Sequence, residues 1–502
     1  MSETPSELWE LPVEETARRV RSREVSAAEV TAAALARTEA VEPLIAAYLE
    51  IYSDAARERA ADLDRRLAAG DDPGPLAGVP VALKDNLSLA GAKLTCGSKI
   101  LTGYVAPYTA TAVERLLAAG AVILGRANMD EFAMGSSCEN SAYQLTRNPW
   151  DLDSVPGGSS GGPAAAVAAG SVPLGFGSDT GGSIRQPAAF CGVVGVKPTW
   201  GRVSRSGLVA FASSTDQIGP LARGVRDAAL ALAVIAGPDA ADATCSERPV
   251  EDYRARLEEG IGGLKVGMIR EVSREIDSAG FDPASARGWQ GALDHLVRAG
   301  AEIVEVSVPS LDAAVAVYYV IANCEASANL ARFDGVRYGR RAAADNLADL
   351  YVNSRSEGFG AEVKRRIMLG TLALSSGYYE AYYGRSRSVL ERMRHELDTA
   401  FTKADVVVTP TAPTAAFGIG EKVDDPLAMY LSDIFTTPAS LIGLPAVSLP
   451  TGVDDRGLPL SLQILGRPFD EATVLRAARA LEVQVAWQHA PTFRAVRMAG
   501  GG

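Results

Sequence analysis

Two glycine-rich loops and one lysine are the residues of this chain whose types and spacing could do chemistry together. The first loop, Pro156-Gly-Gly-Ser-Ser-Gly-Gly-Pro163, runs into Ala164-Ala-Ala-Val-Ala-Ala169. Glycine adopts backbone conformations that other residues resist and lets a ligand approach the main chain. Pro163 suits the first turn of the helix that the alanines extend. Taken alone, the loop reads as a helix start or an anion site, and it lacks the Gly-Lys-Ser/Thr ending of a P-loop. In the second loop, Gly177-Ser-Asp-Thr-Gly-Gly-Ser-Ile-Arg-Gln-Pro187, Ser183 follows two glycines whose N–H groups can point into a cavity. A hydroxyl nucleophile beside consecutive free amides is the pairing that acyl transfer needs. Lys84 ends the apolar run Gly78-Val-Pro-Val-Ala-Leu-Lys84. A solvated lysine at a strand end is the ordinary reading. In a dry interior, however, lysine loses its charge readily and can take a proton through a serine.

Histidine poverty strengthens that reading. Only His295, His395 and His489 occur, each isolated, so neither a three-histidine zinc centre nor an HExxH helix is present. A hydrolase built on this chain would need another base. Cys96, Cys138, Cys191, Cys245 and Cys324 are scattered without CxxC spacing, which suggests neither a disulfide framework nor a thiolate metal site. With 61 acidic against 49 basic side chains, the net charge is −12. That balance argues against gripping nucleic acid by broad phosphate neutralisation, though not against a partner that does so. The acidic start MSETPSELWELP does not resemble a secretory signal. Apolar windows such as Ala228 to Gly237 fall short of the ~18 residues of a membrane span. A soluble, cytoplasmic protein is expected.

Residues 1–70 read as helices, with Ser26 as a cap, and the turn-rich Gly70-Asp-Asp-Pro-Gly-Pro75 closes them. From Gly78 to about Pro220, strand-like runs (Val79 to Leu83, Ala121 to Leu124, Val172 to Phe176) alternate with helix-like segments (Thr111 to Ala119, Ala164 to Ala169). Further on, Gly263 to Ile269, about Pro283 to Ala299, and Ala301 to Val308 read as strand, helix and strand. Glu362 to Ala404 is helical, and Ala404 to Val408 and Leu460 to Leu465 are buried strands. An α/β fold with a large mixed sheet covered by helices on both faces is expected. The expected organisation is an N-terminal helical segment over 1–70, one large domain over 71–490 with a helical insertion around 310–400, and a tail over 491–502.

Lys84 and the two serine–glycine loops resemble the amidase signature family. That resemblance implies Ser183 as nucleophile, Ser159 as bridging serine after a cis Gly158–Ser159 peptide, and Lys84 as base. It also implies an oxyanion hole from the N–H groups of Thr180, Gly181, Gly182 and Ser183. Ser160 is the neighbour that competes with Ser159 for the bridging role. Asn128-Met-Asp-Glu-Phe-Ala-Met-Gly135, Ser213-Ser-Thr-Asp-Gln-Ile-Gly-Pro220, Ser354-Arg-Ser-Glu-Gly-Phe-Gly360, Lys364-Arg-Arg-Ile367 and Asp424-Asp-Pro-Leu-Ala-Met-Tyr430 narrow the likeness. They resemble the A subunits of glutamyl-tRNA(Gln)/aspartyl-tRNA(Asn) amidotransferases, over roughly residues 15–490.

Such a protein would hydrolyse glutamine, with Arg366 on the α-carboxylate, Asp433 on the α-ammonium and the Tyr318 hydroxyl holding the ligand. Arg365 and Tyr319 are adjacent alternatives. Arg366 could equally be solvated, Asp433 a helix cap and Tyr318 core. The resemblance implies B and C partner subunits in a heterotrimer, with tRNA, ATP and magnesium handled by the partner and no cofactor in this chain. A stand-alone hydrolase of small amides is the rival reading. Pro163 and Trp200 depart from the family pattern, where a small polar residue and a tyrosine are expected.

Overall fold

The computed structural model describes residues 8–278, 281–491 and 493. Most of the tail expected over 491–502, and residues 1–7 of the acidic start, lie outside them. Eleven strands form one sheet: β1 (Tyr48–Ile51), β2 (Pro80–Lys84), β3 (Val122–Ala127), β4 (Leu174–Asp179), β5 (Val194–Lys197), β6 (Gln217–Ala222), β7 (Lys265–Ile269), β8 (Glu302–Val306), β9 (Val406–Pro410), β10 (Ala446–Val453) and β11 (Pro459–Leu465). Their spatial order is β1-β3-β2-β4-β6-β5-β10-β11-β9-β7-β8. β2 runs parallel to β3 and β4, and β7 runs parallel to β8 and β9. The other pairings are antiparallel, so the sheet is mixed, as expected.

Alternation along β2 shows how the two faces are covered. Val81 and Leu83 belong to one apolar cluster, with Val225, Leu230 and Leu232 of the helix Val225–Ile235. Ala82 belongs to a second cluster, with Ala164, Ala165 and Val167 of the helix Gly161–Ala168. Successive side chains of a strand point to opposite faces, so Lys84 shares the face of Ala82 and is directed toward the helix that carries the first loop. The sequence that ends β2 with a lysine therefore delivers its amine to the serines.

The N-terminal segment forms helices Val13–Arg21, Ala27–Ile45 and Ser53–Ala68. Ser26 caps the second of these through a reciprocal box with Glu29. The segment is not wholly helical, however. Tyr48–Ile51 supplies the edge strand β1, antiparallel to β3. Four residues between two strong helices carry too short a pattern to announce a strand. β5, β6 and β10 also escape the sequence reading. β6 contains Gly219 and Pro220, which argue against a strand interior. A Cβ on Gly219 would lie 2.0 Å from the Val196 carbonyl, so glycine is what permits β5 and β6 to pair at that point.

In the region expected as a helical insertion, Ala314–Asn329 packs on Ala361–Leu374. A Cβ on Gly370 would meet the Asn323 carbonyl at 1.9 Å, so the two helices touch backbone to backbone. That contact fixes Tyr318 and Arg366, one on each helix, relative to each other.

Candidate active site

Lys84 is fully buried, and its Nζ lies 2.7 Å from Ser159 Oγ, 2.9 Å from Ser160 Oγ, 3.0 Å from Ser178 Oγ and 3.2 Å from the Ser178 carbonyl. Burial pushes the amine down from its ordinary 10.5 to about 7, and the carboxylates of Asp130, Asp179 and Asp216 offset only part of that effect. At neutral pH a large share of the amine is therefore uncharged and able to accept a proton.

The loop before it is held by main-chain contacts. The Gly158–Ser159 peptide is cis. Gly158 N donates to Gln186 Oε1 at 2.9 Å, and a Cβ on Gly158 would fall 2.0 Å from Asp130 Oδ2. Asp130 accepts the amides of Cys138 and Asn140 at 2.9 and 3.0 Å. The first loop is thus threaded between Gln186 and Asp130, with no room for a side chain at its second glycine. Pro163 sits buried in the first turn of Gly161–Ala168. Trp200 packs under Arg205 and near Gly443.

Ser183 is joined to the first loop through its carbonyl, which accepts from Ser160 N at 3.0 Å. Its hydroxyl makes no hydrogen bond to Ser159, so the structure brings Lys84 and Ser159 together directly and places Ser183 one loop away. The segment Thr180–Ser183 is tied off at its base by Asp179. That carboxylate accepts from Ile184 N and Arg185 N and pairs with the Arg185 guanidinium at 2.9 and 3.0 Å, both side chains fully buried. Thr180 Oγ1 donates to Asp216 at 2.7 Å, and Thr436 Oγ1 to the Gly181 carbonyl at 2.7 Å. Among the described residues no acceptor takes the amides of Gly181, Gly182 or Ser183, which leaves them free for a developing oxyanion.

The two glycines are required by what faces them. A Cβ on Gly181 would lie 2.5 Å from the Tyr318 ring and 2.7 Å from its hydroxyl. One on Gly182 would lie 2.2 Å from Thr436 Oγ1 and 3.3 Å from Asp433 Oδ1. Tyr318 and Asp433 therefore border the oxyanion loop. Asp433 is buried: Oδ2 accepts from Ser136 Oγ at 2.5 Å, and Oδ1 has no hydrogen-bond partner among the described residues. Burial raises its carboxyl to about 7. Arg366 is buried too, and its guanidinium faces the rings of Tyr319, Tyr430 and Phe211 at 5.0, 5.4 and 5.6 Å. Its Nε donates to Glu362 at 2.7 Å. Arg365, the adjacent alternative, lies partly in solvent and pairs with the same carboxylate. Tyr319 stacks on Tyr430 with centroids 3.8 Å apart, so it walls Arg366 instead of reaching the oxyanion loop.

Several residues of this site were not singled out from the sequence: Ser178, Asn86, Asp179 with Arg185, Glu362, Tyr430 and Thr436. Ser178, Asp179 and Arg185 lie inside the second loop, so adjacency to Ser183 was the available signal. Tyr430 closes the segment Asp424–Tyr430 that carries part of the family resemblance, whereas Glu362 comes from a distant segment and left no such signal.

The amidase family model matches residues 29–475. The A subunit of the glutamyl-tRNA(Gln) amidotransferase of Carboxydothermus hydrogenoformans is 54% identical over 95% of this chain and 97% of its own length. Its namesake from Anaeromyxobacter dehalogenans is 55% identical, covering 98% and 99%. Among solved structures, the A subunit of the glutamyl-tRNA(Gln) amidotransferase of Thermotoga maritima superposes with a TM-score of 0.76 at 42% identity, covering 96% of this chain and 94% of that one. The peptide amidase of Stenotrophomonas maltophilia gives 0.81 at 32% identity, covering 97% and 99%. A shared backbone with hydrolases and a nearer sequence likeness to the amidotransferase subunits together place this protein: the chain belongs to the amidase family and, within it, to the glutamyl-tRNA(Gln) amidotransferase A subunits.

Proposed function

We propose that this chain is the glutaminase subunit of a tRNA-dependent amidotransferase, using Ser183, Ser159 and Lys84 to release ammonia from glutamine. The observation that carries this reading is the buried carboxylate of Asp433, whose Oδ1 borders the oxyanion loop with no hydrogen-bond partner among the described residues, with the buried Arg366 guanidinium near enough to act on its charge. Burying a charged atom that lacks a partner is costly unless a ligand meets it. A zwitterion does so: the guanidinium takes the α-carboxylate, Asp433 Oδ1 takes the α-ammonium, and the side-chain amide is left at Ser183.

In the proposed cycle, neutral Lys84 takes the proton of Ser159, and Ser159 takes that of Ser183 as its oxygen adds to the amide carbon. The oxyanion rests on the amides of Gly181, Gly182 and Ser183. The C–N bond then breaks, the relayed proton passes to the leaving nitrogen, and ammonia departs from a glutamyl ester on Ser183. Water attacks the ester by the same relay, returning glutamate and the free serine. Ammonia would pass to a partner subunit, where ATP and magnesium activate Glu-tRNA(Gln) or Asp-tRNA(Asn).

Two features support a partnered role. The net charge of −12 suits a chain that leaves tRNA to another protein. Met368, Leu369, Leu372, Tyr378 and Tyr382, exposed by 44–65%, also form a run of apolar surface typical of an interface. The superposition with hydrolases favours stand-alone amide hydrolysis as a second reading. Kinetics of Ser183→Ala in the assembled complex test the proposal. Glutamine-dependent amidation should vanish while amidation from added ammonia persists. Loss of both, or a higher kcat/KM for simple amides than for glutamine, refutes it.

A further inference from the structure

Three serine hydroxyls touch the Lys84 amine, and their hydrogen bonds are not equivalent. Ser160 Oγ donates to the Ser178 carbonyl at 3.2 Å, so its one proton is committed and it meets Lys84 Nζ as an acceptor. Ser178 Oγ accepts from Asn86 Nδ2 at 2.9 Å and presents its other lone pair, with its own carbonyl, to the same nitrogen. Ser159 Oγ makes the shortest contact, 2.7 Å, and among the described residues it has no other hydrogen bond. A hydroxyl has one donor and two acceptor sites. Only that of Ser159 keeps its proton and a lone pair free.

From this inventory we infer that Ser160 and Ser178, the latter braced by Asn86, are positioning residues for the reaction. Each holds one N–H of Lys84, so that the third position on the nitrogen, where the proton comes and goes, faces Ser159. The inference rests on Lys84 being the base. A neutral amine has two N–H groups and one lone pair, and an ammonium has three donors. Both forms fit the same three oxygens without any movement of Ser160 or Ser178. Proton transfer then needs only the Ser159 O–H to turn. Gly177 points to a seat made for this purpose, since a Cβ there would lie 2.5 Å from Ser160 Oγ. A side chain at that position would expel the hydroxyl.

The test is steady-state glutaminase kinetics of the assembled enzyme across pH, with Ser160→Ala, Ser178→Ala, Asn86→Ala and Lys84→Ala, each checked by thermal melting. Ser160 and Asn86 act on different N–H directions, so one folded variant of those two is enough if Ser178→Ala does not fold. The ionisable groups facing the amine, Asp130, Cys138, Asp179 and Asp216, stay unchanged in all four variants. For the three variants that keep Lys84, the expected result is a kcat about 10- to 100-fold lower with KM for glutamine unchanged, the effect of a misdirected group; Lys84→Ala should not turn over. In Ser160→Ala and Ser178→Ala the acid limb of the pH profile should also move to lower pH, because an oxygen that stabilises the ammonium has been removed. A variant with wild-type kcat and an unmoved limb overturns the inference. So does a faster Ser178→Ala, which would mean that its hydroxyl competes for the lone pair. Turnover by Lys84→Ala would instead overturn the base assignment, and the inference with it.

Discussion

Replacing Lys84 by methionine should abolish turnover and yet make the folded chain more stable, with a pH dependence whose sign follows from the burial. Lys84 is fully enclosed and titrates at about 7 instead of 10.5. In the unfolded chain it is solvated and keeps the higher value. Between those two values the unfolded chain binds more protons than the folded one, so wild-type stability rises with pH through that window. Below it the penalty is fully present, and the two values correspond to about 5 kcal/mol. Methionine has no amine to desolvate. It deprives Ser159 of its partner, whereas Ser160 keeps the Ser178 carbonyl and Ser178 keeps Asn86; this loss is about 1–3 kcal/mol. On the alkaline side, where the penalty is gone, only that loss remains, whereas on the acid side of the window the net gain is about 2–4 kcal/mol. For a chain of this length that is about 2–4 °C in Tm. Melting of both proteins at about pH 6 and about pH 10 reads it directly. A methionine variant less stable than wild type at the lower pH, or a difference that does not change between the two, would refute the neutral buried amine.

Three other outcomes are expected. Gly181→Ala drives a methyl into the buried Tyr318 ring 2.5 Å away and should lower kcat about 100- to 1,000-fold, the size of a lost oxyanion donor, as measured by ammonia release. Asp433 must be ionised to meet an ammonium, and burial holds its carboxyl at about 7. KM for glutamine should therefore rise as pH falls through that value, and Asp433→Asn should show a high KM that no longer follows pH. Arg366→Lys keeps the charge but loses the planar guanidinium that faces three rings and donates to Glu362. A fall in kcat/KM of about 100-fold, carried mainly by KM, is expected from steady-state kinetics.

Much of the sheet is legible from local pattern. The strands Pro80–Lys84, Val122–Ala127 and Leu174–Asp179 and the unit β7–helix–β8 lie where apolar runs bounded by glycine and proline put them, within a few residues. The strands that escape detection are those whose local signal is weak or contrary. β1 is four residues long, and β6 carries Gly219 and Pro220. Their pairing is decided by neighbours, and local propensity yields to tertiary context.

The site divides in the same way. Composition and motif alone single out serine and lysine, without histidine, as the residues for the proposed chemistry, because residue types and local glycine density are properties of the chain itself. What only the tertiary structure decides is which hydroxyls meet the amine, how dry that amine is, and how Arg366, lying against the stacked rings of Tyr319 and Tyr430, comes near enough to Asp433 to act on its charge. Desolvation and hydrogen-bond direction depend on atoms brought together from segments hundreds of residues apart, and no local stretch of sequence encodes them.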